Sequence, residues 1–203
     1  MVSELQILSS MKKRSCYLFL FEGFADWEPS LVTAGLNTFS DFEIKTFSVD
    51  GRAVKSMGNL SVSPDFKLKD VNVTDFDLIL LPGGNKWEEG GNSEISELIK
   101  DSFRKGKTIG AICAATTFLA RQGLYKTVRH TSNGLDYLKK QVPGYTDESR
   151  YVNDPCVDDK KVITANGAAM IEFAYRIFEH FGIMTPDELS FWLNLYKSGG
   201  TQF

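Results

Sequence analysis

Segments whose hydrophobic residues are spaced as in β-strands alternate along the chain with segments whose hydrophobic residues are spaced as in α-helices. The strand-like segments are described first. Cys16–Phe21 and Phe76–Leu81 are continuous apolar runs, as expected of strands that are covered on both faces of a sheet. Glu43–Val49 alternates between apolar and polar residues, and Thr108–Ile112 and Val162–Ala165 are shorter apolar segments. All five segments are predicted to be strands.

Between these segments, apolar residues recur at the spacing of helices. Ser93–Lys105 is the clearest helix, because its apolar residues share one face and Gly106 suits a left-handed cap. Asp26 and Pro29 mark the start of an earlier helix. Further helices are predicted, in chain order, over Ala114–Gln122, Leu135–Lys140, Ile171–Phe181 and Asp187–Tyr196.

Two shorter segments complete the pattern and lead to a fold class. Val54–Val62 predicts a small β-hairpin insertion, and Val128–Ser132 predicts a further strand. Strands separated by helices of ten or more residues indicate a mostly parallel sheet with helices on both faces. The predicted fold is α/β, one doubly wound domain over residues 14–203, with residues 1–13 as a loose N-terminal extension. Ligands of such a sheet bind beyond the C-terminal ends of the strands.

Composition and charge exclude several classes of protein and of binding partner. The 203 residues are 42% hydrophobic and 24% charged, which excludes collagen-like and disordered chains. A net charge of -3 gives no general attraction to phosphate backbones, so we expect neither nucleic acid nor a membrane as partner. The apolar run Cys16–Phe21 is too short for a spanning helix or a signal-peptide core, and we therefore expect a cytoplasmic protein.

The cysteines and histidines give no sign of a disulfide framework or a metal site. Cys16, Cys113 and Cys156 are odd in number and widely spaced, and only two histidines are present. Cys156 lies in a turn-rich stretch and is predicted to be a loop residue without a special role. We expect no metal and no cofactor.

Cys113 is the strongest candidate for chemistry. It lies between a short apolar strand and an alanine-rich helix, at a sharp turn that would hold its side chain out at the edge of the sheet. The N–H groups and the dipole of the following helix favour the thiolate over the thiol. The alternative is an inert, buried cysteine, since free cysteine is among the most buried residue types.

Two further segments follow strands in the same way. In Pro82-Gly83-Gly84, small residues allow backbone N–H groups to approach a ligand oxygen and to form an oxyanion hole with the Ala114 amide. Glu28 follows the first strand, where a buried carboxyl would hydrogen-bond the sulfur or carry its proton. The alternatives are an ordinary tight turn and a first-turn glutamate that the helix dipole stabilises.

Taken together, these segments resemble the ThiJ/PfpI superfamily. The resemblance rests on a glutamate after strand one, Leu-Pro-Gly-Gly after a middle strand, and Ala-Ile-Cys-Ala-Ala at an elbow, and it extends from about Arg14 to Gly182. This superfamily includes the parkinsonism-associated deglycase and is related to class I glutamine amidotransferase domains. The resemblance implies a flavodoxin-like sandwich, often a homodimer, in which Cys113 is the reactive cysteine and Glu28 its protonated partner. Gly84 and Ala114 then match the backbone donors.

The chain also departs from the pattern of this superfamily. Protease-like members place a histidine directly after the cysteine, whereas this chain has Ala114, so a Cys-His dyad is not evident. Glyoxalase- and deglycase-like members carry a histidine on the strand after the elbow helix, where this chain has Ser132. His130, two residues earlier, lies on the same face of the predicted strand and is either a site residue or a structural histidine.

Three functions are open on the sequence alone. In the first, Cys113 attacks a small carbonyl, amide or glycated substrate, as in a hydrolase or a glyoxalase- or deglycase-like enzyme. In the second, Cys113 is oxidised in a redox or stress response, and Glu28 and helix amides hold the oxidised sulfur. The third is a binding module without catalysis.

Overall fold

A seven-stranded sheet forms the centre of the computed structural model, which describes residues 13–200. The strands lie in the order β5-β2-β1-β6-β7-β9-β8, and all neighbours are parallel except β8 and β9. The sheet strands are β1 (Ser15–Phe19), β2 (Glu43–Ser48), β5 (Phe66–Lys67), β6 (Leu78–Leu81), β7 (Thr108–Ile112), β8 (Cys156–Asp159) and β9 (Val162–Ala165). The predicted hairpin is also present, as antiparallel strands β3 (Val54–Lys55) and β4 (Ser61–Val62).

Helices surround this sheet. They are α1 (Trp27–Phe39), α2 (Asn85–Glu88), α3 (Ser96–Arg104), α4 (Ala115–Arg121), α5 (Leu135–Gln141), α6 (Met170–Phe181) and α7 (Pro186–Ser198). The central strands β1, β6, β7 and β9 are buried along their whole length, as the continuous apolar runs predicted. The predicted α/β class, with a mostly parallel sheet and a hairpin insertion, is confirmed.

Glycines allow the helices to approach the core closely. A side chain at Gly110 in β7 would lie 2.8 Å from Leu80 and 3.0 Å from the Phe173 ring of α6. A side chain at Gly35 in α1 would overlap the Phe178 ring. Because no larger residue fits at either point, these two glycines set the distance of α6 from the sheet and from α1.

Two predictions about the second half of the chain were wrong. Val128–Ser132 forms no strand; only a single bridge joins His130 to Tyr151, because the neighbouring hydrogen bonds of this segment go to loop carbonyls and to side chains. Cys156 is not a loop residue. It begins β8, which turns back antiparallel against β9 and closes the edge of the sheet. The predicted extension over residues 1–13 lies, apart from Lys13, outside the described residues.

Candidate active site

Cys113 is held at a strained turn between β7 and α4. Its backbone adopts φ 59°, in the left-handed region that side chains other than glycine rarely occupy. Its N–H donates to the Ala165 carbonyl at 2.9 Å, which anchors the turn to the end of β9. The side chain is half-buried. The predicted elbow is therefore present, with Cys113 directly after the C-terminal end of β7.

Glu28 lies beside this cysteine, in the first turn of α1. Its side chain is 1% exposed, it forms a hydrogen bond with Cys113, and it accepts the Gly83 N–H at 2.5 Å. Burial raises the pKa of the Glu28 carboxyl above its usual range. The Gly83 amide is thus used to hold Glu28, and it is not free to bind a substrate oxygen as the sequence predicted.

The ionisation of Cys113 differs from the prediction. Burial, followed by the charge of the ionised Glu28, raises the pKa of the Cys113 thiol to about 11. Hydrogen bonds from Asn133 and from the Ala114 amide act in the opposite direction. The prediction that helix amides keep this sulfur a thiolate is wrong beside an ionised Glu28, because desolvation outweighs them.

Asn133 is the site residue that the sequence did not reveal. Its Nδ2 donates to the Cys113 sulfur over 3.3 Å, and its Oδ1 accepts the Gly167 N–H at 2.8 Å. It lies in Ser-Asn-Gly, a combination that by itself indicates only a turn. Asn133 reaches Cys113 because its loop is hydrogen-bonded to β9, from the Thr131 N–H to Thr164 Oγ1 at 2.9 Å, and to Gly167 in the turn that follows β9.

The structure separates the two residues that matched the histidine position. Ser132 lines the cavity in front of Cys113, where its hydroxyl bonds Thr116 Oγ1 at 2.7 Å. His130 is fully buried elsewhere: Nδ1 lies 3.1 Å from the Val128 carbonyl, Nε2 lies 2.6 Å from the Tyr145 hydroxyl, and the ring stacks on Tyr125. His130 is therefore a structural histidine and does not line the site.

The predicted backbone donors have different positions. The Ala114 N–H hydrogen-bonds the Cys113 sulfur, as expected of the first amide after an elbow. Gly84, at φ 148°, packs closely against the Gly23 carbonyl and the Phe21 ring and does not line the cavity. The prediction that Gly84 donates to a substrate oxygen finds no support in this placement.

A cavity of about 580 Å³ opens in front of the cysteine. Its wall combines Trp27 at the mouth, which is 46% exposed, with short polar side chains. No histidine, lysine or arginine of the described chain lines it. The volume suits a small ligand. The lining residues are Trp27, Glu28, Cys113, Thr131, Ser132, Asn133, Gly134, Tyr151, Asn153, Asp154, Pro155, Asn166, Gly167 and Ala168.

Two kinds of feature are missing from the described residues, 13–200. No group of three or more histidine, cysteine or acidic side chains is placed there to hold a metal ion. No helix in this range is long and apolar enough to cross a membrane.

Comparison with known proteins gives consistent matches. A model of the DJ-1/PfpI family matches residues 14–180. The "Uncharacterized protease YoaZ" of Bacillus subtilis is 36% identical over 195 residues, with 93% of each chain covered. The "Glutathione-independent glyoxalase DJR-1.2" of Caenorhabditis elegans is 35% identical over 128 residues, which cover 62% of this chain and 66% of that protein. The crystal structure of a thiJ/pfpI family protein from Bacillus anthracis superposes with a TM-score of 0.86 at 32% identity, with 93% of each chain covered.

Proposed function

The chain belongs to the DJ-1/PfpI family, and on that premise we propose that it is an enzyme that uses Cys113 as a nucleophile toward small carbonyl or amide compounds. Relatives of this chain are named a protease and a glyoxalase, and both reactions begin with attack on an electrophilic carbonyl carbon. The cavity of about 580 Å³ favours a small substrate over a folded protein.

One observation carries the proposal: the Cys113 sulfur lies between a buried carboxyl and two N–H donors. Glu28 hydrogen-bonds the sulfur, and the Ala114 amide and Asn133 Nδ2 both donate to it. A carboxylate whose pKa is raised is a stronger base than an ordinary one, and is therefore better suited to accept the proton of a thiol. The N–H groups are placed to stabilise negative charge that develops beside the sulfur.

The first chemical step follows from this arrangement. As the sulfur–carbon bond forms, the thiol proton of Cys113 passes to the Glu28 carboxylate, and the C=O π pair moves onto oxygen. Ala114 and Asn133 donate to the resulting oxyanion. With an aldehyde, the oxyanion takes the proton back from Glu28, and a hemithioacetal is left on Cys113. An amide then expels its amine, which takes the proton from Glu28, and water hydrolyses the thioester that is left on Cys113.

Oxidation of the same cysteine is the second candidate function. It is favoured by the absence of a histidine base from the described cavity lining and by the three groups that surround the sulfur. In this reaction the thiolate attacks the O–O bond of a peroxide, so the sulfur is oxidised to a sulfenate and the peroxide is reduced to water or an alcohol. A second peroxide converts the sulfenate to a sulfinate.

The experiment that tests the proposal compares three proteins on one panel. Wild type, Cys113→Ser and Glu28→Gln are incubated with methylglyoxal, small amides and fluorogenic peptides, while peroxide oxidation of Cys113 is followed by mass spectrometry. We expect turnover by the wild type, none by Cys113→Ser, and a loss of about 10²- to 10⁴-fold in Glu28→Gln, since a general base is removed. Cys16→Ser is the matched control, because Cys16 is buried in β1.

Each outcome decides between the two candidates. Turnover that survives in Cys113→Ser contradicts a cysteine nucleophile. No turnover, combined with selective oxidation of Cys113 at low peroxide, supports the redox function instead. Full turnover in Glu28→Gln would remove Glu28 from the proton transfer.

A further inference from the structure

The wall of the active-site cavity carries acidic side chains and, among the described residues, no basic ones. Its charged lining residues are Glu28 and Asp154. Glu28 is almost fully buried, and its carboxyl already accepts the Gly83 N–H at 2.5 Å. Asp154 is exposed, and its carboxylate makes no ion pair within 4 Å with any described residue. Asp154 is therefore the charged group that is available to a ligand in this cavity.

Two basic side chains border a smaller, neighbouring cavity of about 400 Å³, which Asp154 also lines. They are Arg176 and Lys197. Arg176 donates to Glu179 at 2.7 Å, and Lys197 forms an ion pair with Glu172 at 2.8 Å. Because both cations are bound to other carboxylates, neither one neutralises Asp154 by direct contact.

The backbone holds Asp154 in place on the cavity wall. Its carbonyl accepts the Thr131 hydroxyl at 2.8 Å, and the next carbonyl, that of Pro155, accepts the Asn166 N–H at 3.0 Å. All four residues line the cavity, so these bonds join two parts of its wall. Since the bonds use the backbone of Asp154, they leave its carboxylate available for binding.

Aromatic rings lie on the same wall as this carboxylate. Trp27, at the mouth, and Tyr151 both line the cavity. The face of an aromatic ring attracts a cation, and tryptophan does so most strongly. A carboxylate without a counter-ion and two aromatic side chains therefore favour an organic cation, whereas an anion would be repelled by Asp154.

We propose that Asp154 is a specificity-determining residue, which selects small substrates that carry an ammonium or guanidinium group over substrates that carry a carboxylate or a phosphate. The inference rests on the proposed function and deepens it, because it assigns a charge to the part of the substrate that does not react. Cys113 attacks the carbonyl carbon, while Asp154 and Trp27 bind the cationic group.

The test measures the charge preference of the cavity and needs no turnover. Cys113 is treated with three methanethiosulfonates that share one reactive group and carry a trimethylammonioethyl, a hydroxyethyl or a sulfonatoethyl substituent. Modification of Cys113 is followed by mass spectrometry at one pH in the wild type, Asp154→Asn and Asp154→Lys. Each rate is divided by the rate of the neutral hydroxyethyl reagent, so that any change in the ionisation of the thiol cancels.

Asp187→Asn is the matched control. It removes the same charge from the molecule, but Asp187 lies in the first turn of α7 and does not line the cavity. Thermal unfolding of every variant shows whether it is folded. Asparagine has nearly the size of aspartate and keeps the backbone bonds of position 154, so Asp154→Asn changes the charge with little change in shape.

We expect the ratio of the cationic to the anionic rate to fall about five- to tenfold in Asp154→Asn, because an attraction and a repulsion are lost together. Asp154→Lys should lower this ratio further. Asp187→Asn should keep the wild-type ratio. Salt at about 1 M should move the wild-type ratio toward that of Asp154→Asn, since an exposed charge is screened.

Three results would overturn the inference. They are a wild-type ratio in Asp154→Asn, an equal fall in Asp187→Asn, which assigns the effect to net charge, and a wild-type ratio that salt does not change. The proposed function and this inference fail separately. A protein without turnover that still loses its charge preference in Asp154→Asn refutes the enzyme and supports the role of Asp154, and an active enzyme whose ratio is unchanged in Asp154→Asn does the reverse.

Discussion

At the scale of single residues, desolvation and hydrogen bonding have opposite effects on the ionisation of the two site residues. Burial raises the pKa of both Cys113 and Glu28, and the charge of an ionised Glu28 raises the pKa of Cys113 further, whereas the hydrogen bonds from Gly83 and Cys113 lower that of Glu28. Asn133 and the Ala114 amide favour the thiolate but do not outweigh burial. The sulfur is therefore held as a thiol, and the proposed reactive form arises when its proton moves to Glu28.

Substitution of Gly167 tests how closely the wall of the cavity approaches the Cys113 sulfur. A Cβ at this position would lie 2.7 Å from the Cys113 Sγ and 3.1 Å from its Cβ. We expect Gly167→Ala to slow alkylation of Cys113 by at least tenfold, because the sulfur must turn away from the cavity or be covered. Gly144→Ala is the matched control, since a Cβ there meets nothing within 4 Å. Equal alkylation rates in the two variants would contradict the described approach.

Glu28 gives the stability of the protein a defined pH dependence. A carboxyl whose pKa is raised in the folded state contributes stability that is fully present below its unfolded pKa, near 4.5, and is lost as the pH rises through the folded pKa. We expect urea unfolding from pH 4 to 8 to show this loss in the wild type and a flatter dependence in Glu28→Gln. The glutamine still accepts the Gly83 N–H. Parallel profiles for the two proteins would show that the Glu28 pKa is unshifted.

At the scale of elements, the strands and long helices were predictable because burial imposes a period on the sequence. The alternation of strands and helices also predicted that Glu28 and Cys113 share one edge of the sheet, since both follow parallel strands. Neither β8 nor the loop that replaces Val128–Ser132 was predicted, since an edge strand with Asp158 and Asp159 lacks an apolar run. Asn133 was missed for a related reason: its role depends on contacts between loops distant in sequence.

Gly35 shows that packing outweighs helix propensity at a contact between elements. At an exposed position inside a helix, alanine makes the helix more stable than glycine does, by about 1 kcal/mol. At position 35, however, the added Cβ would overlap the Phe178 ring of α6. We expect Gly35→Ala to destabilise the protein by about 1 to 3 kcal/mol in urea unfolding, as overpacking does.

A nearby position on the same helix provides the control for this prediction. Asn37 is exposed, so Asn37→Ala should leave stability unchanged or raise it slightly. The smaller side chain of Phe178→Leu should reduce the penalty of Gly35→Ala in the double variant. A Gly35→Ala protein as stable as wild type would show that α1 and α6 are farther apart than described.

At the scale of the whole molecule, the family resemblance and the fold support each other, while the chemistry depends on a few local departures. The resemblance matches Ala114 and Ser132 to the histidine positions that it implies for protease-like and for glyoxalase-like members. The only buried histidine of the described chain, His130, packs within an aromatic cluster. The remaining base beside the nucleophile is Glu28. The homodimer, which the resemblance implies, stays a prediction.

The central claim is that Glu28 takes up the proton of the Cys113 thiol, and the pH dependence of Cys113 alkylation tests it most directly. In the wild type the rate should rise in two steps, the first as the pair loses one proton and the second near pH 11. In Glu28→Gln we predict a single step at lower pH than this second one, because the carboxylate charge is gone. The same single step in both proteins would contradict the account.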